Sequence, residues 1–202
     1  MAEMLNTSRR GFLKISAAVG GGLLVGFQLP GCEGKKKTAV EPGVPDGFKP
    51  NAWLKIASDD TVTVMVGSSE MGQGVMTAIP MLVAEELEAD WSKVRAQQAP
   101  ADPAYTNPLI GQQLTGGSTT VRAFWTPVRE AGATARELLI GAAAQTWGVK
   151  EDRCRAENGV VLHRDSDRRL SYGALADKAA TLPVPKAVFL KDPKEFRLLG
   201  KP

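Results

Sequence analysis

Alternation of apolar and polar positions first becomes regular near residue 53. Trp53 to Ala57 and Thr61 to Gly67 read as two strands, with Val62, Val64 and Val66 alternating with Thr61, Thr63 and Met65. Asp59-Asp60 sits between them as a turn. From Val75 to Ala89 the period becomes helical: Ile79, Leu82, Val83 and Leu87 share one face, and Glu85, Glu86 and Glu88 fall largely off it. Pro80 lies near the first turn, where proline costs least. Val94 to Ala99 is a third strand. Residues 100–118 are proline-rich and aperiodic, and a loop of this length in a compact domain binds something or is disordered. A long helix follows over about 119–147, with Val121, Trp125, Val128, Gly132, Ala135, Leu139 and Ala142 on one face. The small members, Gly132, Ala135 and Ala142, would let another element approach closely. Arg122, Arg129 and Arg136 form a second stripe, which is either a solvated or ion-paired face or an interface. Cys154–Glu157 and Val160–His163 flank Asn158-Gly159, a type I′ hairpin signal. Ser171 can cap a short helix through about Ala180, and after Pro183 and Pro185 the chain is extended to Pro202. The order β-β-α-β-α-β-β-α predicts an α/β (α+β layered) fold, a mixed sheet with packed helices.

The N-terminus reads as an address. Thr7-Ser8-Arg9-Arg10-Gly11-Phe12-Leu13-Lys14 precedes an apolar run, Ile15 to Leu29, that contains four glycines. As a helix the run would span about 22 Å, short of the hydrocarbon core of about 30 Å, which favours a signal segment over a membrane span. Arg9 and Arg10, in that setting, resemble a twin-arginine export signal, the route of folded proteins that acquire a cofactor in the cytoplasm. Leu29-Pro30-Gly31-Cys32 resembles a lipobox with Cys32 as the lipidated residue, although Pro30 is unusual there. Lipidation at Cys32 and an uncleaved or differently cleaved N-terminus both stay open; lipidation would add a membrane anchor. Residues 1–32 are thus assigned to the signal and 33–51 to a linker containing Lys35-Lys36-Lys37 and three prolines. The folded part begins near Ala52.

Composition adds mainly exclusions. Most of the net charge of +3 lies in the first 32 residues, and no basic stripe interleaves with aromatics, so nucleic acid is not an expected partner. Two cysteines, Cys32 and Cys154, cannot form a disulfide framework, and Cys154 is expected unpaired. One histidine and no Cys-x-x-Cys give no familiar metal-ligand spacing; His163 reads as a strand residue.

Two glycine-rich segments carry candidate chemistry. Ser68 to Gly74 and Thr115 to Thr119 each precede a helix N-terminus. The unpaired N–H groups and dipole of a helix start favour an anion, and glycine lets backbone approach a ligand. Gln73, Ser118, Thr119 and Thr120 can add hydrogen bonds. A pterin with a phosphate or pyrophosphate tail suits two such loops, although by itself a glycine turn before a helix is most often only a turn.

The motifs carry a resemblance. Glu-Met-Gly-Gln-Gly at 70–74 is similar to the pterin-contacting motif of molybdenum hydroxylases, and Thr-Gly-Gly-Ser-Thr at 115–119 to the second cofactor loop of the same half-domain. MLVAEELE, QAPADPAYTNP and VRAFWTPVREAGATARELL extend the match. Over about 7–202 the chain resembles the N-terminal segment of the molybdopterin-binding large subunit of the xanthine dehydrogenase and aldehyde oxidase family, isoquinoline 1-oxidoreductase beta-subunit type. The resemblance implies that 52–182 is part of a molybdopterin-binding domain and that 183–202 leads toward a next domain. It implies a molybdenum–molybdopterin cofactor, in the cytosine dinucleotide form, shared with further subunit segments. Met71, Gly72, Gln73 and Gly74 would contact the pterin; Gly116, Gly117, Ser118 and Thr119 would contact pterin or phosphate. Glu70 belongs to the motif without having to face the cofactor.

The implied reaction is oxidation of an aldehyde or N-heterocycle with water as the oxygen source. A glutamate is the base beside the metal, and electrons pass to a [2Fe–2S] subunit and on to cytochrome c. That glutamate lies near the far C-terminus of the full subunit in relatives, and no glutamate here sits in its motif. No catalytic residue is therefore expected in this chain alone. A truncated product, one piece of a split subunit, and a domain kept for binding or assembly all fit. An exported, lipid-anchored phosphate- or nucleotide-binding module without redox chemistry is the alternative of a different class.

Overall fold

A computed structural model describes residues 53–201 in full and the backbone of two further strands, Leu13–Ala17 (β1) and Gly22–Phe27 (β2). Arg9, Arg10, Cys32 and the 33–51 linker lie outside the described residues. Within the apolar run expected as a helix, residues 15–17 and 22–27 are instead extended. Its glycines and β-branched residues disfavour helix, and β2 pairs antiparallel with both β1 and Ala52–Ala57 (β3).

Val62–Val66 (β4) pairs antiparallel with β3 across the turn at Asp59 and Asp60, where Asp60 takes a left-handed φ of 70°. Helix α1 (Val75–Leu87) then crosses over to Val94–Gln98 (β5), which pairs parallel with β4. The sheet order is β1-β2-β3-β4-β5, so it is mixed, as expected. Helix α2 (Thr120–Trp147) packs along α1. A second, antiparallel sheet comprises Cys154–Glu157 (β6), Val160–His163 (β7) and Arg169–Ser171 (β8), a short strand the sequence pattern does not signal. Helix α3 (Tyr172–Ala180) closes onto β3 and α2, and the Ser171 hydroxyl caps it by accepting the Ala174 N–H at 3.3 Å. The Asn158-Gly159 turn has φ 46° and 79°, as a type I′ hairpin requires.

The α1–α2 packing follows from small residues. A Cβ on Gly132 would stand 2.6 Å from the Val83 carbonyl oxygen and 3.0 Å from Glu86 Cβ. Val128, Gly132, Ala135, Leu139 and Ala142 are buried as their spacing predicts, but Val121 and Trp125, on the same face, are exposed. In the first turns of α2 the core-facing side is taken by Ala123 and by Phe124, which packs on Trp53, so Val121 and Trp125 fall outside it. Pro80 sits in the second turn of α1, so the helix forgoes one internal hydrogen bond there.

The glutamates of α1 are the largest departure from the pattern. Glu85 and Glu86 are buried, not on a solvent face. Both lie in the last helical turn, where the dipole disfavours a carboxylate, and both are paired. Glu86 accepts from Arg129 Nε at 2.8 Å and from the Lys191 backbone N–H, with Arg136 Nη1 3.5 Å away. Two of the three stripe arginines are therefore ion-paired inside the chain, and Arg122 is exposed. Glu85 accepts from Lys191 Nζ at 2.8 Å and from the N–H groups of Arg197, Leu198 and Leu199. The C-terminal segment is thus strapped to α1.

Burial alone would raise the Glu85 carboxyl, but Lys191 and the three N–H donors outweigh it and hold it below the ordinary carboxylate range. Because the folded value is depressed, this stabilisation is complete above the unfolded value and is lost as pH falls through the folded one. Proteolytic cleavage within 189–199 is expected to accelerate below roughly pH 4, before global unfolding is seen by circular dichroism. Equal cleavage rates at pH 7 and pH 3 would contradict the strap.

Candidate functional site

Both glycine loops emerge from the same end of the layered core. The first leaves β4 at Gly67, which packs against Tyr105, and enters α1 at Gly74. The second ends the long 100–118 segment and enters α2 at Thr119. That segment is not loose. Tyr105 is buried edge-on to Trp53 with ring centroids 4.9 Å apart, and Asn107 is buried and bridges to Gln112. Gln113 donates to the Gly67 and Pro100 carbonyls and accepts from the Asp102 N–H, drawing the segment back onto the end of β4.

The two loops touch. Thr115 Oγ1 accepts the Ser69 N–H at 2.8 Å, and the buried Ser68 hydroxyl shares a 2.8 Å hydrogen bond with Thr120 Oγ1. The seam joins the residues just before Met71–Gly74 to the two residues that flank Gly116–Thr119, so the two candidate segments extend from one hydrogen-bonded junction.

In the first loop Gly72 and Gly74 take positive φ of 91° and 79°, and a Cβ on either would meet nothing within 4 Å. Met71 is exposed. Gln73 is engaged within its own loop: its Oε1 accepts the Met71 N–H at 2.6 Å and its Nε2 donates to the Ser69 carbonyl at 2.7 Å. The Glu70 carboxylate accepts the N–H groups of Gly72, Gly74 and Met76 at 2.8–2.9 Å. Backbone donation from Met76 and Gly74 foremost, and then Gly72, holds that carboxyl below its usual range. Membership of the motif does not by itself reveal this contact. The available signal is a carboxylate just before a glycine turn into a helix.

In the second loop Gly117 and Ser118 are consecutive left-handed residues, φ 59° and 51°. A non-glycine residue there costs about 1 kcal/mol or more, strain of the kind that gathers at binding sites. Thr119 Oγ1 donates to the Gly116 carbonyl and accepts from Asn107 Nδ2. The N-cap Thr119 side chain makes no capping hydrogen bond to the start of α2, and a Cβ on Gly116 would meet nothing within 4 Å. The loops therefore present open, glycine-lined backbone beside an uncapped helix start, flanked by the exposed apolar residues Met71, Leu114, Val121 and Trp125. This suits a flat polar ring with an anionic tail, so the residues present fit one wall of a pterin site.

Residues 17–197 match the model of the molybdopterin cofactor-binding domain family. The chain belongs to that family.

The beta subunit of isoquinoline 1-oxidoreductase from Brevundimonas diminuta is 40% identical over 187 residues, covering 92% of this chain and 23% of that protein. A membrane-bound aldehyde dehydrogenase of Gluconacetobacter polyoxogenes, described with pyrroloquinoline-quinone, is 35% identical and covers 98% of this chain and 25% of its own length. A nicotinate dehydrogenase polypeptide of Pseudomonas putida is 28% identical over 90% of this chain and 15% of that protein. The chain thus spans a quarter or less of the length of these relatives.

Other candidate chemistry is placed elsewhere. His163 stands in β7, with Nδ1 2.8 Å from the Ser166 hydroxyl, at a polar groove of about 370 Å3 to which neither glycine loop contributes. Cys154 is buried with a free thiol, which burial pushes up in pKa. Among the described residues no three His, Cys, Asp or Glu side chains stand close enough to hold a metal ion, and no helix is long and apolar enough to cross a membrane.

Proposed function

We propose that this chain is the cofactor-binding N-terminal portion of an exported molybdenum hydroxylase, oxidising an aldehyde or N-heterocycle with water as the oxygen source. The observation that carries the proposal is the seam joining Ser68-Ser69 to Thr115 and Thr120, which sets two open glycine loops side by side. Met71–Gly74 line the pterin, and Gly116–Thr119 hold the pterin or its phosphate tail, taken to be the cytosine dinucleotide. The bound cofactor supplies the metal and the redox capacity. The residues of this chain bind and orient it through backbone N–H groups, Ser118 and Thr119.

The rest of the site comes from further segments of the molybdenum subunit, which also cover Leu114, Val121 and Trp125. Electrons leave to a [2Fe–2S] subunit and then to cytochrome c. Arg9-Arg10 directs export to the periplasm by the twin-arginine route, and Cys32 offers a lipid anchor.

The test is purification of the chain from its native source under mild conditions, with elemental analysis and identification of co-purifying polypeptides. Near-stoichiometric molybdenum with an iron–sulfur partner is the expected result. A molybdenum-free monomer that binds nucleotide would instead support an exported, non-catalytic binding or assembly module.

A further inference from the structure

We infer that Glu70 is a built-in anion that fills the N-terminus of α1, organises the first glycine loop and keeps the anionic part of any ligand out of it. The second half of this inference rests on the cofactor reading above; the first does not. Both loops open onto helix starts, and by helix electrostatics alone either could take a phosphate. The structure makes them unequal. At α1, one carboxylate satisfies three N–H groups in the span 72–76, and its Oε1 alone accepts two of them. At α2, the N-cap Thr119 side chain is turned to Asn107 and the Gly116 carbonyl, and among the described residues no carboxylate accepts from the helix start.

Glu70 therefore does for the first loop what a bound phosphate would do, from within the chain. A second anion at α1 would lose these donors to Glu70 and meet a like charge at contact distance. Gln73 completes the arrangement by bridging the Met71 N–H and the Ser69 carbonyl, which leaves the Met71 side chain projecting from the loop. The first loop is thus a preformed surface whose amides are already satisfied by an internal carboxylate, suited to the ring system of a ligand, and the anionic tail is directed to Gly116–Thr119. Glu70 acts here as a positioning residue.

The experiment follows the backbone amides of the full 202-residue chain by two-dimensional NMR, with inorganic phosphate as the probe. In the wild-type chain, lowering the pH should shift Gly72, Gly74 and Met76 together with the Glu70 carboxyl, with a midpoint below the ordinary carboxylate range. Phosphate should leave those three amides unmoved. In Glu70→Ala the vacated helix start should bind phosphate, or formate in place of the lost carboxylate, with all three amides responding at least about tenfold more tightly than in wild type. Glu70→Gln, neutral but retaining one acceptor oxygen, should fall between.

The inference is overturned if Glu70 titrates without the three amides following, or if phosphate shifts them equally in wild type and Glu70→Ala. It is overturned as well if a folded Glu70→Ala shows no anion response there. The wild-type pH titration decides the matter should Glu70→Ala not fold. Silence of residues 116–122 toward phosphate counts only against the placement of the cofactor tail.

Discussion

Glu86→Ala is expected to destabilise the folded chain by about 3–5 kcal/mol, the range for breaking a buried ion pair from one side. The carboxylate is fully buried and Arg129 is only 6% exposed. Removing Glu86 strands a guanidinium that is held in place on two further sides. Arg129 lies 5.3 Å from the Trp125 ring and 5.2 Å from the Phe196 ring, and its Nη2 donates to the Lys191 carbonyl. It cannot swing to water without pulling the strap off α2. Arg136 loses part of its setting too, although its bond to the Glu86 backbone carbonyl survives. Urea unfolding followed by tryptophan fluorescence measures the effect. A loss below about 1 kcal/mol would mean that the pair behaves as a surface ion pair.

Gly132→Val is expected to cost about 1–3 kcal/mol, and more if the helices cannot separate. The nearest neighbour of the added Cβ is the Val83 carbonyl oxygen, followed by Glu86 Cβ and the Leu87 backbone nitrogen. Two of these are α1 backbone, so no rotamer change relieves the contact. Moving α1 also disturbs Glu85 and Glu86, so the strap should loosen with the helix pair. Thermal unfolding tests this, and Gly116→Val is the control. The control adds the same side chain at a position where nothing lies within 4 Å and φ is not left-handed, so its effect should stay within about 0.5 kcal/mol. Equal losses at the two glycines would contradict close α1–α2 contact at Gly132.

Most of the architecture can be read along the chain because it rests on local signals. The alternation of Val62, Val64 and Val66, the Asn158-Gly159 turn and the Ser171 cap each act within a few residues, and each appears where its chemistry predicts. Gly132 is legible as a close-approach site because small residues recur on one helical face. What escapes the pattern is decided at a distance. Glu85 and Glu86 read as polar positions, yet their partners arrive from up to 114 residues away. Nothing near α1 signals that Lys191 and the N–H groups of 197–199 will cover them. Val121 and Trp125 keep the apolar period but not the burial, because in the first turns of α2 the neighbouring Ala123 and Phe124 face the core instead. The described parts of the apolar run after Lys14, residues 15–17 and 22–27, read as helical but are extended, since a short run of apolar residues with glycines serves either state and strand pairing with β3 decides it.

At the site, spacing locates both glycine loops. It does not reveal the seam that joins them, which depends on the Ser68–Thr120 and Ser69–Thr115 bonds between residues 52 and 46 positions apart. Nor does it reveal that Glu70 and Gln73 are used within their own loop.

The central claim is that the two loops hold a molybdopterin cofactor, and the most direct measurement is the amount of pterin extracted per chain from purified wild type and Gly116→Val. Gly116 has open space beside it, so a valine there blocks the cradle without straining the fold. Near-stoichiometric pterin in wild type, reduced about tenfold or more in Gly116→Val at unchanged thermal stability, is the result expected from losing close backbone contact with a charged ligand. Equal pterin in the two proteins, or none in wild type purified with its subunit partners, would contradict the assignment of the cofactor to these loops.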